Sequence, residues 1–559
     1  MKKCALLAVT LPWLAAASFS GPTILTGSAP GDYFGTRVAH AGDVDGDGYP
    51  DLLVGAGNST DGRADVYLYL GGPTGIASTP AVTWTGDPEE RYFGTVLAGG
   101  GDVNGDGYTD VLIGSPGESR STIIGSVRLY LGGPAGPSTV ADRTWLGSGG
   151  FDEFGTSVAF AGDLNTDGYD DIALGSPGSA SGFGYVNVHL GSASGPAETP
   201  DIIWTGAEVY DGFGQGVAGA GDVDGDGYDD VLIGADGYGS STGRALVYLG
   251  AASGPAATPA TTVVGEYPFD QFGMSVAGAG DVDGDGFDDI VIGAPFATTF
   301  EGRAYVYMGS AAGVSASPAM TWSGTAEYGA FGVSLAGVGD VDADGYDDIV
   351  IGAYGDASFT GAAYLYTGSA GGVSAAAAVT WTGETVESYF GCSVAGLGDL
   401  TGDGYDDLAI GAVNYDAYTG RVYVYEGAGE GDTGDTGDTG DTDDTDVDTD
   451  DADVDTDDTD VDTDDTDVDT DDTDVDTDDT DDTDDTDDTD DTDDTDDTDD
   501  TDDTDEDTDE DTGDLDTGDV DDDTGCGCAT GNERAAGSLA GLLAVMVGLR
   551  RRRGVTTTR

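Results

Sequence analysis

The chain has 559 residues, with 110 acidic against 17 basic side chains and a formal charge of -93. That balance excludes a nucleic-acid binder or a protein drawn by charge to anionic lipid, and it makes cations the natural partners. A disulfide scaffold is excluded as well, because Cys4 lies near the start, Cys526 and Cys528 lie near the end, and only Cys392 falls in the body of the chain.

Taken in order, Lys2 and Lys3 precede an apolar run from Ala5 to Ala17, followed by small residues at Ser18 and Ser20. This pattern predicts a secretory leader over residues 1–20, so that the mature protein begins near Gly21 outside the cytoplasm. A short strand-like segment, Ile24 to Gly27, follows. Next comes the stretch DVDGDGYPDLLVGA, from Asp43 to Ala56, which returns in variant form beginning at Asp102, Asp163, Asp222, Asp281, Asp340 and Asp399, at spacings of about 59 to 61 residues. An internal repeat of this period governs the fold.

The fourth copy shows the unit clearly. Phe213-Gly214 opens an apolar segment, the acidic loop follows, then DDVLIGA, then GRALVYLG, and a short closing run ends before Gly265. Brief apolar segments between Gly-rich turns, without a helical period, predict strands of about five or six residues. Four strands per unit make a propeller blade. The closing strand carries Trp84, Trp145, Trp204, Val263, Trp322 and Trp381 in successive copies, a stripe expected to pack between blades. The seventh repeat ends after GRVYVYEG with no closing strand, and Ile24 to Gly27 can supply it. The sequence therefore predicts an all-β, closed seven-bladed propeller of four-stranded blades over residues 21–429, with an N-terminal strand completing the last blade.

Each acidic loop places oxygen ligands at alternate positions of a tight turn. In the first, Asp43, Asp45, Asp47 and Asp51 occupy positions 1, 3, 5 and 9, Gly48 allows the bend, and the Tyr49 carbonyl falls at position 7. Hard oxygens on a flexible loop suit calcium better than magnesium, and no Cys or His is present for a softer metal. An EF-hand would need a Glu at position 12 and a helix; position 12 is Val54 in a strand pattern, so a β-hairpin calcium loop is expected. The loops with Asp222, Asp224, Asp226, Tyr228 and Asp230, with Asp281, Asp283, Asp285, Phe287 and Asp289, and with Asp340, Asp342, Asp344, Tyr346 and Asp348 repeat this set.

Two loops substitute an amide at position 3: Asp102, Asn104, Asp106, Tyr108, Asp110 and Asp163, Asn165, Asp167, Tyr169, Asp171. The seventh has Thr401 there, beside Asp399, Asp403, Tyr405 and Asp407. Up to seven calcium ions are expected, weaker in the second and third loops and weakest in the seventh.

Phe-Gly, the acidic loop and Gly-Ala-Pro, as in Phe272-Gly273, Asp281 to Asp289 and Gly293-Ala294-Pro295, resemble the FG-GAP repeats of the integrin α-subunit propeller, over roughly Ile24 to Gly427. The resemblance implies calcium in the loops and a role in adhesion or ligand binding. No inserted adhesion domain interrupts the blades and nothing like the integrin leg domains follows them, so pairing with a β-subunit is not implied.

In an up-and-down blade the calcium loops lie on one face, and the opposite face carries segments that vary from blade to blade. These contain Arg91, Tyr92, Tyr210, Tyr267, Phe269, Tyr328 and Tyr389, then Tyr238, Phe296, Phe300, Tyr354, Tyr415 and Tyr418. Aromatics on rigidly held variable loops suit recognition of an extracellular protein or glycan; the alternative is that they tuck onto the blade ends. His40, His189 and Cys392 fall inside strand patterns and read as structural, so no catalytic residue is assigned. A surface hydrolase using propeller carboxylates, or an envelope protein without a specific ligand, are the alternatives to an adhesive, non-enzymatic, monomeric propeller.

From about Gly431 to Thr524 the chain is built of TGD, TDD and TDV units with no Lys or Arg, a composition that predicts a disordered, self-repelling spacer over residues 430–525. Residues 526–559 hold Cys526, Cys528, an apolar run from Ala535 to Leu549, and Arg550 to Arg553. This end is similar to the MYXO-CTERM sorting signal of myxobacterial surface proteins, which implies anchoring near Cys526 or Cys528 at the surface or outer membrane of a Gram-negative cell.

Overall fold

The computed structural model describes residues 17–57, 64–87, 92–117, 124–149, 152–178 and 182–428. The acidic spacer, Cys526, Cys528 and the apolar run before the arginines lie outside the described residues, as do most of the expected leader and Arg91.

Seven four-stranded antiparallel sheets form the blades of a propeller. Blade 4 is representative: Phe213–Gly221, Asp230–Ala235, Arg244–Tyr248 and Thr261–Val264 pair in sequence order. Its second strand, DVLIGA, is buried at every position, because both of its faces lie under neighbouring blades. Such a strand reads as a continuous apolar run. The fourth strand, TTVV, buries only the side chain of Val263, the signature of an outer strand with one packed face.

Blade 7 consists of Phe390–Gly398, Asp407–Ala412, Arg421–Tyr425 and the N-terminal strand Thr23–Thr26, with Leu25 opposite Val422. Innermost strands of successive blades contact one another around the whole circle, including Phe390–Gly398 against Phe34–Gly42. Apolar clusters fill each junction; one joins Val422 and Val424 of blade 7 to Val38, Leu52 and Val54 of blade 1. Burying a Val, Leu or Ile side chain of this kind is worth about 1.5–3 kcal/mol. The ring is therefore held by inter-blade packing at every junction.

The Phe-Gly and Gly-Ala pairs have a joint cause in that packing. Phe272 is buried, and Gly273 behind it has φ +83° with Arg244 O only 2.5 Å from where a Cβ would stand. A Cβ on Gly234 of the preceding blade would meet Gly273 O at 1.9 Å. Backbone lies on backbone there, and only glycine on both sides permits it.

Two features were not read from the sequence. Ser18–Phe19, which the sequence assigns to the end of a leader, pair with Gly427–Ala428, and the Phe19 ring packs edge-on against Trp381 at 5.1 Å. The variable loops after the second strand also share one form in blades 4 to 7. Each forms one turn, at Tyr238–Ser241, Ala297–Phe300, Asp356–Phe359 and Tyr415–Tyr418, with left-handed backbone inside it. Thr298, Thr299 and Phe300 have φ of 53°, 64° and 67°. Consecutive non-glycine residues in this region cost about 1–2 kcal/mol each. Bridges from the glycine after each turn to the next Phe-Gly phenylalanine, such as Gly302 to Phe331, hold them in place.

Candidate metal centre

Each acidic loop is a hairpin turn organised by its own carboxylates. In the first, Asp43 accepts hydrogen bonds from the backbone N–H groups of Gly46, Asp47 and Gly48 at 2.7, 3.0 and 2.8 Å, and Asp47 accepts from Tyr49 N–H at 3.0 Å. Position 1 thus wraps the loop around its own side chain, and the bond from the position-6 glycine recurs in every copy, from Gly107 to Asp102 through Gly404 to Asp399.

Position 9 ties the loop to the blade. Asp51 is fully buried, and its two oxygens accept from Val44 N–H at 3.0 Å and from Gly71 N–H at 2.9 Å. Asp110, Asp171, Asp230, Asp289, Asp348 and Asp407 make the same pair of bonds. Burial, opposed by these amides and reinforced by the neighbouring loop carboxylates, pushes the Asp51 and Asp230 carboxyls up to about 7 and that of Asp348 up to about 8. Each carboxylate oxygen retains a second lone pair, so these hydrogen bonds leave it able to ligate a cation.

Carboxylate oxygens converge within 4.8 Å of one another in four loops: Asp43, Asp45 and Asp51; Asp222, Asp224 and Asp230; Asp281, Asp283 and Asp285; Asp340, Asp342 and Asp344. These are the loops with an aspartate at position 3. In the other three, Asn104, Asn165 and Thr401 stand at that position. Asn104 donates to Asp106 at 3.0 Å, so its amide neutralises part of the repulsion locally.

The residues fit a hard cation. Asp45, Asp224 and Asp283 have carboxyls raised above the usual range, first by desolvation and then by the adjacent aspartates, and Asp342 is pushed up to about 6 for the same reasons. Asp342 Oδ1 and Asn165 Oδ1 are buried acceptors without a hydrogen-bond partner among the described residues, both at position 3 of their loops. A buried acceptor of this kind calls for a donor or a cation.

A further role was not read from the sequence. Position 8 carries an aspartate in blades 3 to 7, and its side chain accepts from the position-1 N–H of the preceding blade: Asp170 from Asp102, Asp229 from Asp163, Asp288 from Asp222, Asp347 from Asp281 and Asp406 from Asp340, at 2.7 to 2.9 Å. Consecutive loops are thereby latched to each other. At the junction of blades 7 and 1 the equivalent residue is Pro50, which has no N–H and no carboxylate. The signal was the first aspartate of each DD pair, replaced by Pro50 in blade 1 and Thr109 in blade 2.

On the opposite face the predicted aromatics divide. Tyr354 and Tyr389 are buried with Cys392 and Val413 in an apolar cluster, where burial pushes the Cys392 thiol up to about 12. Tyr238 lies under the Arg244 guanidinium at 4.2 Å, Tyr415 under Arg421 at 3.7 Å, and Phe300 stacks on Tyr328 at 5.6 Å. Tyr210, Tyr267 and Phe269 stand out at 66, 58 and 73 % exposure, and Tyr418 is also exposed. Beneath them Arg244 forms an ion pair with the buried Asp211 at 2.7 Å, which sequence reasoning also missed.

Fold and loops together define a seven-bladed β-propeller with an acidic hairpin on every blade. The FG-GAP repeat family matches residues 34–69, 93–130, 154–188, 213–248, 272–307, 331–366 and 390–425, one match per blade. Integrin alpha-5 of Xenopus laevis is 34% identical over 215 residues, covering 36% of this chain and 20% of the relative. Integrin alpha-V of Gallus gallus is 34% identical over 223 residues, 37% of this chain and 21% of its own length. Integrin alpha-IIb of Mus musculus is 40% identical over 166 residues, 28% and 16% of the two chains. The aligned part thus spans about a fifth of these relatives, and the protein is an integrin-like β-propeller. Among solved structures, the exotype rhamnogalacturonan lyase YesX aligns over 74% of this chain and 76% of its own at 12% identity, with a TM-score of 0.37, too low to bear on activity. No helix of the described residues is long and apolar enough to cross a membrane.

Proposed function

We propose that the protein is a calcium-binding propeller that acts outside the cell in adhesion or ligand binding, as a monomer held to the envelope through its C-terminus. The observation that carries the reading is the convergence of carboxylates in the acidic loops of an integrin-like ring. Calcium would be held by positions 1, 3, 5 and 9 together with the position-7 carbonyls of Tyr49, Tyr108, Tyr169, Tyr228, Phe287, Tyr346 and Tyr405. Its chemistry there is structural: it neutralises carboxylates that otherwise repel and stiffens the hairpins.

Recognition then falls to the face where side chains differ from blade to blade. Tyr210, Tyr267, Phe269 and Tyr418 offer exposed aromatic surface on turns fixed by left-handed backbone and by buried partners. Strained, well-supported turns are common at ligand sites. Enzymatic chemistry plays no part in this reading.

The test is binding of the full chain to arrays of matrix proteins and glycans, with calcium or with chelator. Calcium-dependent binding that falls at least tenfold on substituting Tyr267→Ala and Phe269→Ala together is expected. Absence of any binding, or binding indifferent to both chelator and substitution, would refute the proposal.

A further inference from the structure

Five blades carry a tryptophan at the third position of the outer strand, and each ring stacks on an aromatic of the next blade. Trp84 meets Tyr130 at 5.0 Å, Trp145 meets His189 at 4.9 Å, Trp204 meets Tyr248 at 4.3 Å, Trp322 meets Tyr366 at 4.2 Å and Trp381 meets Tyr425 at 4.9 Å. In four of them the indole N–H donates to a backbone carbonyl of the next blade: Trp84 to Ser138, Trp145 to Ala197, Trp204 to Ala256 and Trp322 to Ser374, at 2.9 to 3.1 Å. The chain thus builds an indole-binding niche repeatedly and fills it with its own side chain.

Blade 4 builds the niche and fills it only in part. The residue there is Val263, smaller than an indole, which is buried in one apolar cluster with Tyr307, the counterpart of Tyr248 and Tyr366. A cavity of about 200 Å³ lies at this place, between Val263, Phe272, Tyr305, Tyr307, Ser317 and Pro318. The carbonyl equivalent to the four acceptors, 52 residues after Val263 as Ala256 is after Trp204, belongs to Ser315, and no donor reaches it among the described residues. The Tyr305 hydroxyl, buried beside the Arg303 guanidinium, forms no hydrogen bond of ordinary geometry. Blade 7 also lacks the tryptophan, but Leu25 fills its niche against Ile76 and Tyr69.

Drug-sized ligands need about 300–1,000 Å³, so a cavity of this size admits one small ring system. Val263, Val264, Phe272, Tyr305, Tyr307 and Pro318 line it together with Glu266 and Ser317, and the Ser315 carbonyl stands at the repeat position that accepts an indole N–H in four other blades. The mouth carries Glu266, paired with Arg303 at 2.7 Å, which adds acidic character to an already acidic protein. We propose that the cavity between blades 4 and 5 is a binding site for a small planar aromatic bearing an N–H, of the indole class and not anionic.

The site is independent of the calcium reading and is tested on the full chain with calcium present throughout. In a saturation-transfer NMR titration indole should bind with Kd on the order of 1 mM, the range open to a ligand of so few atoms. Val263→Trp should close the site and weaken binding at least tenfold; Val263→Phe serves if the larger residue prevents folding. Indole-3-acetate should bind more weakly than indole. No saturation transfer to indole in the unaltered chain would overturn the proposal, as would binding that survives the filling substitution or that prefers the anion.

Discussion

The two faces of the ring are built by opposite means. On the acidic-loop face one hydrogen-bond scheme is stamped seven times, with aspartates at positions 1 and 9 doing the same work in each copy. On the other face Arg244 reaches the buried Asp211, whereas Arg303 and Arg421 reach Glu266 and Glu384, each 37 residues earlier, and the aromatics beside them are differently exposed. Repetition marks what every blade needs in order to stand beside its neighbour. Variation marks surface that the ring does not need.

The sharpest way to break this contrast is to remove the cation. A ligand present at 100 times its Kd stabilises the folded state by about 2.7 kcal/mol per site. With several sites emptied, chelation should lower the unfolding midpoint by more than about 10 °C. Calorimetry showing an unchanged midpoint would mean that the acidic loops hold themselves.

The next largest effect belongs to the other face. Arg244→Ala leaves Asp211, only 1% exposed, without its cation. Breaking a buried pair in this way costs about 3–5 kcal/mol. Denaturant titration should give this loss equally with and without chelator if the faces are independent, and unequally if they are coupled.

Acid acts on the acidic-loop face in two opposite senses: through the loop carboxylates, whose raised pKa values favour the folded cation-free chain as pH falls, and through His189, which disfavours it; a substitution separates them. The His189 Nδ1 lies 3.0 Å from the Ala197 carbonyl and its ring stacks on Trp145; burial lowers its pKa to about 4. The unfolded state, near 6.5, therefore takes up the proton first, and the stability that depends on neutral His189 is lost as pH falls from about 6.5 to about 4. Over that window the unaltered chain should lose about 2–3 kcal/mol relative to His189→Gln. A constant difference across the window would refute this linkage.

The smallest effect concerns one latch. Asp288→Ala frees the Asp222 N–H and should cost about 1–2 kcal/mol, measurable by urea titration. Replacing Pro50, which makes no such bond, with alanine should cost less. If the two losses are equal, the latch contributes nothing specific.

Much of this was legible in the residues. The repeat period, the four apolar runs per unit and the missing seventh closing strand determine blade number and ring closure, because each is local or countable. The convergence of Asp43, Asp45 and Asp51 also follows from spacing, since alternate positions of one tight turn must face each other. The role of Asp288 did not, because its partner Asp222 sits 66 residues earlier and is adjacent only across a blade junction. The same holds for the cavity beside Val263: the residue stood out as a lapse in a tryptophan stripe, but the space it opens depends on Tyr307 of the next blade. The left-handed turns were hidden for another reason. Ser240, Thr299 and Phe300 are not residues that favour positive φ, and contacts with the following blade, among them the bridges to its Phe-Gly pair and Phe300 on Tyr328, hold them there.

The strand Thr23–Thr26 sets the timing of assembly. Its partner, Arg421–Tyr425, is made some 400 residues later. At about 5–20 residues per second the first strand waits on the order of 20–80 s before its sheet exists. For that interval its backbone groups have no permanent partner, and six finished blades form an arc with two open apolar ends. Closure joins the most distant parts of the chain in one step, the kind of contact that slows folding most. A host that makes this protein has to keep that arc from pairing with the next one.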